Sequence, residues 1–545
     1  MAFNSTSAIQ DWRQLIEISL TGKTVRYSRD PVTLTDGTVY DGRLVGISSM
    51  TLTTGQLLDP RFTLPSLSIS LDNADGGIET LLDEYTWANR AVTVKVGQGT
   101  TASDYETVFV GSVVFPAGIS MNDTVVEIDC DDDRMKDSKV LPANNFFKST
   151  YANIEDKSEN LPIPIIYGDW TSGVAGGEKV PCYCINTSTK TFKIASHAIK
   201  QIEAVYKNGS AITPSSTDLT NAEFVISQSY DPTTDVITAN IKGATHNGAS
   251  SGNLLETLPD ITKDILETHL SVSSSAIDST AFTSWGDNIP EIKARRHIYA
   301  EVSSNTLITE ALIEGFADMI IDGGKYTPLF RILGTSGIDQ YRNFDLTNNA
   351  GGTKTFSVSM DPERVTLNQV VANYRYDPTQ SKYLKRYDQE DAASISILET
   401  TRRRRLNFNF IYLDTDAQTR ATRELLAFST EVEMLSVGVG PRSLTKKPMD
   451  QFRLLYGKFD DADGDGFGTP FQVRSIDVDF GKMSSIIKAW NINTLVSGRY
   501  TSSTAPNWTS SSYTQRLDQG YWTDANGYAD PSGSPDITSK RSRWF

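Results

Sequence analysis

The chain has 545 residues, 22% of them charged, and a formal net charge of −16 with a pI near 4.9. This length favours several domains over one. A chain this acidic is a poor candidate for binding nucleic acid, because its electric field repels phosphates. No apolar run approaches the ~20 residues that span a bilayer, and residues 1–6 lack the basic and apolar regions of a secretory signal.

Residues 1–150 are predicted to form one β-rich domain. Apolar and polar residues alternate along its segments, so each strand has one buried and one solvated face, as in an antiparallel sheet or barrel. Asp36-Gly37 predicts a hairpin, and the turn formers of 72–77 precede one short helix at 78–82. Strands are predicted at residues 12–20, 23–27, 32–34, 39–40, 43–47, 67–71, 91–96, 107–111 and 124–129.

Segment 62–129 resembles part of a known family. Its strand, turn, short helix and three further strands read LSISLDNADGG, ETLLDEY, RAVTVKVGQG, ETVFVGSVVF and DTVVEIDCDD. In this order the segment resembles the first domain of the baseplate hub, or tail-tip, proteins of tailed bacteriophages. The resemblance is one of pattern and contains no catalytic signature.

The resemblance implies a structural virion protein of the phage tail tip, assembled in the host cytoplasm, and not an enzyme. It implies a homotrimer in which two tube-like barrels per chain form a pseudo-sixfold ring that continues the tail tube and gates DNA ejection. The implied neighbours are a distal tail or tail tube protein, tail fibres, and a central spike or tape-measure protein. DNA would pass through the lumen without sequence-specific binding, which the acidic charge suits, and no stable membrane insertion is expected.

Residues 151–369 are predicted to form a peripheral α+β region. Pro162 and Pro164 interrupt an apolar run and indicate an edge or an extended connector at its start. Helices are predicted at 259–270, with Pro259 in the first turn, and at 306–317, with Asn305 as the cap. The glycines of 322–324 predict a hairpin after the second helix.

Residues 370–496 are predicted to form a second tube-like barrel. Strands are predicted at 371–376, 393–397, 406–411, 431–437, 452–455, 471–478 and 485–491. Asp414 is predicted to cap a helix between the third and fourth of these strands. Because strands, a helix and more strands echo segment 62–129, the predicted fold is mainly β with α+β insertions: two tail-tube-like antiparallel β-barrels plus the peripheral α+β region.

Residues 497–545 are rich in Ser, Thr, Asn, Gly and aromatic residues and contain no long apolar stretch. Such a composition is typical of a disordered tail. Because aromatic side chains are costly to leave in water, the prediction for 497–545 is instead a polar, aromatic-rich C-terminal arm that docks on a neighbouring subunit.

Asp461, Asp463 and Asp465 form the best local metal motif. With Gly466 they match the opening of a calcium-binding loop, but Gln472 stands where the bidentate glutamate belongs. The motif also lies between strands and not between helices, so a polar hairpin tip is the competing interpretation. No other cofactor is predicted.

The remaining chemistry-bearing residues give no motif. Cys130, Cys182 and Cys184 have no disulfide or zinc spacing, and buried free thiols are expected. The four histidines show no catalytic or metal-binding spacing. The basic run 402–405 is predicted to lie on a strand. Binding to nucleic acid is one interpretation, and pairing with acidic loops of a neighbour is the favoured one in a protein that is acidic overall.

Two other classes of function stay open beside the structural one. The aromatic residues of 497–545 are the one hint of a receptor- or glycan-binding tail protein. Abundant carboxylates leave room for a cell-wall hydrolase, although no motif points to one.

Overall fold

The computed structural model describes residues 12–53, 65–132, 138–174, 177–289, 292–322, 324–330, 339–360, 366–428, 433–459, 469–491, 521–523 and 541–543. Over these residues the protein is mainly β, with antiparallel pairing in all but two of the strand pairs. The expected fold class is therefore confirmed.

The N-terminal part of the chain contains an eight-stranded antiparallel sheet and several elements outside that sheet. Its elements are β1 (Arg13–Leu20), β2 (Lys23–Ser28), β3 (Val32–Thr33), β4 (Val39–Tyr40), β5 (Leu44–Ile47), β6 (Met50–Thr53), β7 (Ser66–Asp72), α1 (Gly77–Glu84), β8 (Ala91–Gly97), β9 (Tyr105–Val113), β10 (Ile119–Met121), β11 (Val125–Asp132) and β12 (Val140–Leu141). The strand order is β2-β1-β8-β9-β11-β7-β5, with β10 paired to β11. The predicted strands and the short helix of this domain are confirmed.

The middle of the chain forms a separate peripheral region. Its elements are β13 (Ile165–Tyr167), β14 (Val180–Pro181), β15 (Tyr183–Asn186), β16 (Thr191–Lys193), β17 (Gln201–Lys207), β18 (Ser210–Ile212), β19 (Pro214–Asp218), β20 (Glu223–Ile226), β21 (Ile237–Lys242), α2 (Leu258–Asp264), α3 (Ser279–Asn288), β22 (Arg296–Ile298), β23 (Val302–Ser303), α4 (Ser304–Glu314), β24 (Ala317–Asp322) and β25 (Lys325–Phe330). Two four-stranded sheets, β14-β21-β17-β18 and β15-β16-β20-β19, enclose one apolar core. The predicted hairpin at 322–324 is confirmed by the pairing of β24 with β25.

The C-terminal part contains a second large sheet and a small one. Its elements are β26 (Asp339–Arg342), β27 (Phe356–Met360), β28 (Gln369–Asp377), β29 (Lys382–Glu390), α5 (Ala392–Leu398), β30 (Arg403–Asn407), α6 (Asp414–Phe428), β31 (Glu433–Val439), β32 (Gln451–Leu455), β33 (Thr469–Asp479), β34 (Ser484–Asn491), β35 (Tyr521–Thr523) and β36 (Arg541–Arg543). The large sheet has the order β26-β32-β33-β34-β31-β27, and β6 also pairs with β33. The small sheet has the order β29-β28-β30.

The two large sheets have the same topology over six strands, which we call the six-strand plan: the strands follow the same order along the chain and the same order in the sheet. In the first sheet, β1, β5, β7, β8, β9 and β11 follow one another along the chain and lie in the order β1-β8-β9-β11-β7-β5. In the second, β26, β27, β31, β32, β33 and β34 occupy the same positions in the same chain order. One pair differs, because β26 runs parallel to β32 whereas β1 runs antiparallel to β8. The six-strand plan is therefore present twice in the chain.

The two sheets share one hydrophobic core. Strand β6 leaves the first sheet and pairs antiparallel with β33, with Met50 opposite Val478 and Thr53 opposite Ser475. A single cluster of buried residues then runs from Ile16 in the first sheet to Ala489 in the second. The sheets are consequently one folded unit and not two independent domains.

The second copy of the plan does not coincide with the predicted range 370–496. It uses residues 339–360 and 433–491, while 366–428 form the small sheet and α6. The alternating apolar residues of β28 and β30, among them Val370, Ala372 and Leu406, pack in the core of the peripheral region. Alternation identified these strands correctly but could not identify the core that they face.

Two local predictions need correction. Residues 393–397 were expected as a strand but lie in α5, because the Asp391 side chain accepts a hydrogen bond from the Ser394 backbone N–H (3.0 Å) and caps the helix. Helix α4 begins at Ser304, so Asn305 lies inside it and is not its cap. Most of the predicted arm 497–545 lies outside the described residues.

We predict that Met50→Ala weakens both large sheets together. Met50 is 1% exposed in the shared core, and removing a buried Met side chain costs ~2–5 kcal/mol. Urea unfolding should shift, and hydrogen exchange should accelerate in β9 and in β33 alike. Met121→Ala, at a half-exposed position of β10, is the matched control and should change stability by less than about 0.5 kcal/mol. Faster exchange in one sheet alone would contradict the shared core.

Candidate functional site

A polar cleft of about 490 Å³ lies where the two large sheets meet the β24–β25 hairpin. It is lined by Glu106 of β9, by Ile320, Asp322 and Leu329 of the hairpin, by Asp339 of β26, and by Arg442, Thr445, Lys446, Lys447 and Asp450 of the connection from β31 to β32. The cleft therefore joins elements from both sheets and from the peripheral region.

Ion pairs cross this cleft. Lys447 pairs with Asp322 and so links the second sheet to the hairpin. Lys446 pairs with Asp339 at 2.5 Å. The third base, Arg442, is held by a carboxylate next to the cleft, since its Nη1 lies 3.0 Å from Asp345 Oδ1.

Two carboxylates of the cleft, those of Glu106 and Asp450, form no ion pair with a described residue. Among the ion pairs formed by described residues, none includes Glu106 or Asp450, although Asp450 accepts a hydrogen bond from the Lys447 backbone N–H (2.9 Å). Burial raises the pKa of Asp450 above its usual value, against the opposing charges of Lys446 and Lys447. The cleft thus combines surplus negative charge with the apolar side chains of Ile320 and Leu329.

A buried carboxylate holds the peripheral region together. The side chain of Glu178 is 4% exposed, accepts a hydrogen bond from Arg295 Nη2 (2.7 Å) and forms an ion pair with Arg375. The Arg295 guanidinium also lies over two aromatic rings, 4.2 Å from the centre of Trp170 and 4.5 Å from that of Tyr412. Glu178 thereby connects the segment before β14 with β28, far away in the sequence.

The basic run 402–405 lies partly on β30, as expected. Its partner is found in the same chain, because Arg404 Nη1 lies 2.7 Å from Glu424 Oε1 on α6. Arg420 binds the other oxygen of Glu424 at 2.6 Å. For Arg404, the expected pairing with a neighbour's acidic loop is replaced by this buried pair.

Helix α4 carries two carboxylates one turn apart. Glu310 pairs with Arg296 at 3.1 Å. Glu314, 1% exposed, accepts hydrogen bonds from the backbone N–H groups of residues 409, 410 and 411 at 2.6, 3.0 and 2.9 Å. Burial raises the pKa of Glu314 to about 8, and these donors oppose the rise. A carboxylate that is so buried cannot contact a substrate. Through these hydrogen bonds it holds the backbone of residues 409–411 in place.

The histidines occupy structural positions. His197 accepts the backbone N–H of Ile166 (2.9 Å), and His269 lies 3.2 Å from the hydroxyl of Tyr167. His246 lies 3.6 Å from Asp260. His297 is buried against Trp170 and Tyr299, and neither of its ring nitrogens has a hydrogen-bond partner among the described residues. Burial lowers the pKa of His297 to about 3.

The calcium candidates Asp461, Asp463 and Asp465 lie outside the described residues. Within the part of the chain that the structure describes, no group of three His, Cys, Asp or Glu side chains could hold a metal ion. Gln472, the last position of the motif, is buried on β33. No helix in the described segments is long and apolar enough to cross a membrane.

The expected buried free thiols are confirmed. Cys130, Cys182 and Cys184 are all free and buried. Burial raises the pKa of Cys184 to about 12 and also raises the pKa of the other two thiols. They are therefore protonated, unreactive parts of the cores.

The sequence did not reveal three of the buried glutamates. Glu178, Glu314 and Glu424 lie at positions where a glutamate is usually solvated. A signal existed for Glu314 and Glu424, because each stands three and seven residues after apolar residues of its helix. These are Ala311 and Leu307 for Glu314, and Ala421 and Ala417 for Glu424. For Glu178 the sequence contains no comparable signal.

Comparisons with known proteins find tail proteins. No family model and no curated protein matches the chain. The 43 kDa tail protein of prophage MuSo2 from Shewanella oneidensis has a TM-score of 0.38 and 9% identity, covering 87% of this chain and 98% of that one. A tail protein from Neisseria meningitidis has a TM-score of 0.36 and 7% identity, covering 88% and 96%. Prophage tail protein gp18 from Listeria monocytogenes has a TM-score of 0.36 and 8% identity, covering 88% and 94%.

All three are described as tail proteins. With identities of 9% or less, a function for this chain has to come from its own topology and contacts.

We predict that Glu178→Gln strongly destabilises the peripheral region. The substitution leaves Arg295 and Arg375 charged, enclosed and without their counter-ion, which costs ~3–5 kcal/mol. The free energy of unfolding from urea titration measures this cost. Glu267→Gln, which removes an ion pair with Lys263 near the surface, should cost less than about 0.5 kcal/mol. Equal effects of the two substitutions would disprove the role of Glu178.

We predict that His297 makes the protein sensitive to acid. Its native pKa of about 3 lies below the ~6.5 of an unfolded chain. The unfolded state therefore binds more protons between these values, and stability falls as the pH drops below 6.5, by at most about 1.4 kcal/mol per pH unit. His297→Phe should flatten the pH dependence of the unfolding free energy between pH 6.5 and 4.

The control for this prediction is Tyr299→Phe, which keeps both the imidazole and the ring stacked on it. It should retain the wild-type pH dependence. If His297→Phe and Tyr299→Phe show the same slope, His297 is not the group that titrates.

Proposed function

We propose that the chain is a structural virion protein of a phage tail tip, a baseplate hub that forms a homotrimeric ring. The observation that supports this proposal is that the six-strand plan occurs twice in the chain and that both copies share a single hydrophobic core. Three chains with two copies each present six similar units around an axis. Such a ring matches the symmetry of a six-fold tail tube while itself having three-fold symmetry.

The edges of the two sheets favour a ring. Among the described strands, β5 lies at one edge of the first sheet, and β27 lies at the same position of the second sheet. Each carries an exposed apolar residue, Val45 at 50% and Met360 at 52% exposure. Open edges with exposed apolar residues invite pairing with another chain, and closing a ring removes them. Equivalent edges in both copies would give six similar contacts.

The proposed role is mechanical and not enzymatic. The shared core makes the two sheets one rigid unit, which suits a ring that bears load. The peripheral region, which has cores of its own, is where tail fibres, a distal tail or tube protein, and a central spike or tape-measure protein would attach. The net charge of −16 disfavours adhesion of DNA that passes through the lumen during ejection.

We predict that the wild-type chain has three times the 60.0 kDa mass of the monomer in solution. Val45→Asp and Met360→Asp should each lower that mass, because a buried unpaired carboxylate opposes the edge contact. Light scattering after size-exclusion chromatography measures the mass. The control is Val236→Asp, at a position 59% exposed in the peripheral region, which should leave the trimer intact.

The proposal fails if the wild-type mass does not correspond to a trimer. It fails equally if Val236→Asp dissociates the assembly as completely as the two edge substitutions do. Electron microscopy of the particles should show a ring with a central lumen.

A further inference from the structure

Strand β10 has one side that no described strand covers. Among the strands that the structure describes, β10 pairs with β11 alone. The backbone N–H of Asn122 donates to β11 (3.0 Å), and the carbonyl of Gly118 accepts a hydrogen bond from β11 (2.7 Å). Alternate residues of an antiparallel strand direct their backbone groups to opposite sides. Ile119 and Met121 therefore direct their N–H and C=O groups to the uncovered side.

One landmark aligns the two copies of the six-strand plan residue by residue. Just before β8, Asn89 has a φ of +59° and donates its N–H to the Val113 carbonyl (3.0 Å). Just before β32, Met449 has a φ of +73° and donates its N–H to the Val473 carbonyl (2.8 Å). Residues other than glycine rarely adopt a positive φ. The same rare conformation with the same hydrogen bond makes Val113 and Val473 equivalent.

This landmark shows which part of the second copy corresponds to β10. Two residues before the strand partner of each valine stands an isoleucine of β11 or of β34. These isoleucines lie opposite Ile119 on β10 and Ile476 on β33, respectively. In the second copy, β6 covers this position, because it pairs with residues 475–478 of β33 and places Leu52 opposite Ile476. Strand β10 is therefore the counterpart of the segment that β6 covers.

Strand β27 ends where a counterpart of β6 would begin. Ile47 of β5 and Phe356 of β27 are equivalent, because each lies in line, across β7 or β31, with one of the two isoleucines. Strand β6 begins with Met50, three residues after Ile47. Three residues after Phe356 comes Ser359, followed by Met360, which ends β27 and is 52% exposed.

We propose that the end of β27 in one chain pairs with β10 of a neighbouring chain, as β6 pairs with β33 within each chain. In the observed pair, Thr51 lies opposite Asp477. Their equivalents are Met360 and Ser120, which are both exposed in the single chain. These two residues are expected to lie opposite each other.

The pairing rests on the ring proposed above and specifies its contact between chains. Around the axis, three contacts of β27 with β10 would alternate with three contacts of β6 with β33. Each new contact gives partners to the outward backbone groups of β10 and removes an open edge of β27.

A disulfide between two introduced cysteines tests the pairing in the full chain. The three natural cysteines are buried and free, so they do not compete. Opposite residues in antiparallel strands have Cα atoms ~4.5–5.5 Å apart, a separation that a disulfide bridges. Ser120→Cys combined with Met360→Cys should therefore give covalent trimers on mild oxidation, visible on non-reducing gels and lost on reduction.

Two controls test the register and the partner. Ser120→Cys combined with Ser359→Cys should cross-link about tenfold less, because neighbouring strand residues point to opposite faces. The single variants Ser120→Cys and Met360→Cys, co-expressed in equal amounts, should stop at covalent dimers, since each chain then has one introduced cysteine. Covalent dimers from either single variant alone would overturn the proposal.

Hydrogen exchange provides a readout without cysteines. In the wild-type assembly, the amides of Ile119 and Met121 should exchange about tenfold or more slowly than in Met360→Asp. The amide of Asn122, which is bonded to β11 in the single chain, is the internal reference and should change less. Equal rates for Ile119 and Met121 in the two proteins would contradict the pairing.

The mass in solution distinguishes failure of this pairing from failure of the ring. A trimer in which the introduced cysteines do not link overturns the pairing and leaves the ring proposal standing. A wild-type chain that stays monomeric overturns both.

Discussion

The pairing of β6 with β33 is the constraint on which the architecture depends. It links the two repeated sheets by backbone hydrogen bonds, although the peripheral region is inserted between them in the chain. With it, Met50 and Leu52 enter the contact with the second sheet, and one core replaces two. A shared core couples the two sheets energetically, because opening either one exposes apolar surface of both.

The peripheral region is stabilised differently. Its cores are smaller and separate, and its distant elements are joined by buried ion pairs centred on Glu178 and Glu424. A buried ion pair adds little net stability, but losing one partner is expensive. These pairs therefore favour one arrangement of β14, β22, β28 and α6 over other compact ones.

The sequence predicted the first sheet well because each of its strands has one core face and one solvated face. The same rule failed for the second copy, since β28 and β30 alternate just as regularly but face the peripheral core. Residues 393–397 alternate too, yet a cap at Asp391 and helical hydrogen bonds outweigh the pattern. The buried role of Glu178 depends on Arg295 and Arg375, which lie more than a hundred residues further along the chain. No local pattern can indicate such a partner.

The cleft itself arises from a difference between the two copies. In the first copy, the connection from β7 to β8 contains α1, whose Ile78 is buried in the shared core. In the second copy, the equivalent connection from β31 to β32 contains only a 3₁₀ turn at Pro441–Ser443 and supplies half of the residues that line the cleft. A polar connection thus replaces an amphipathic helix at the same position of the plan.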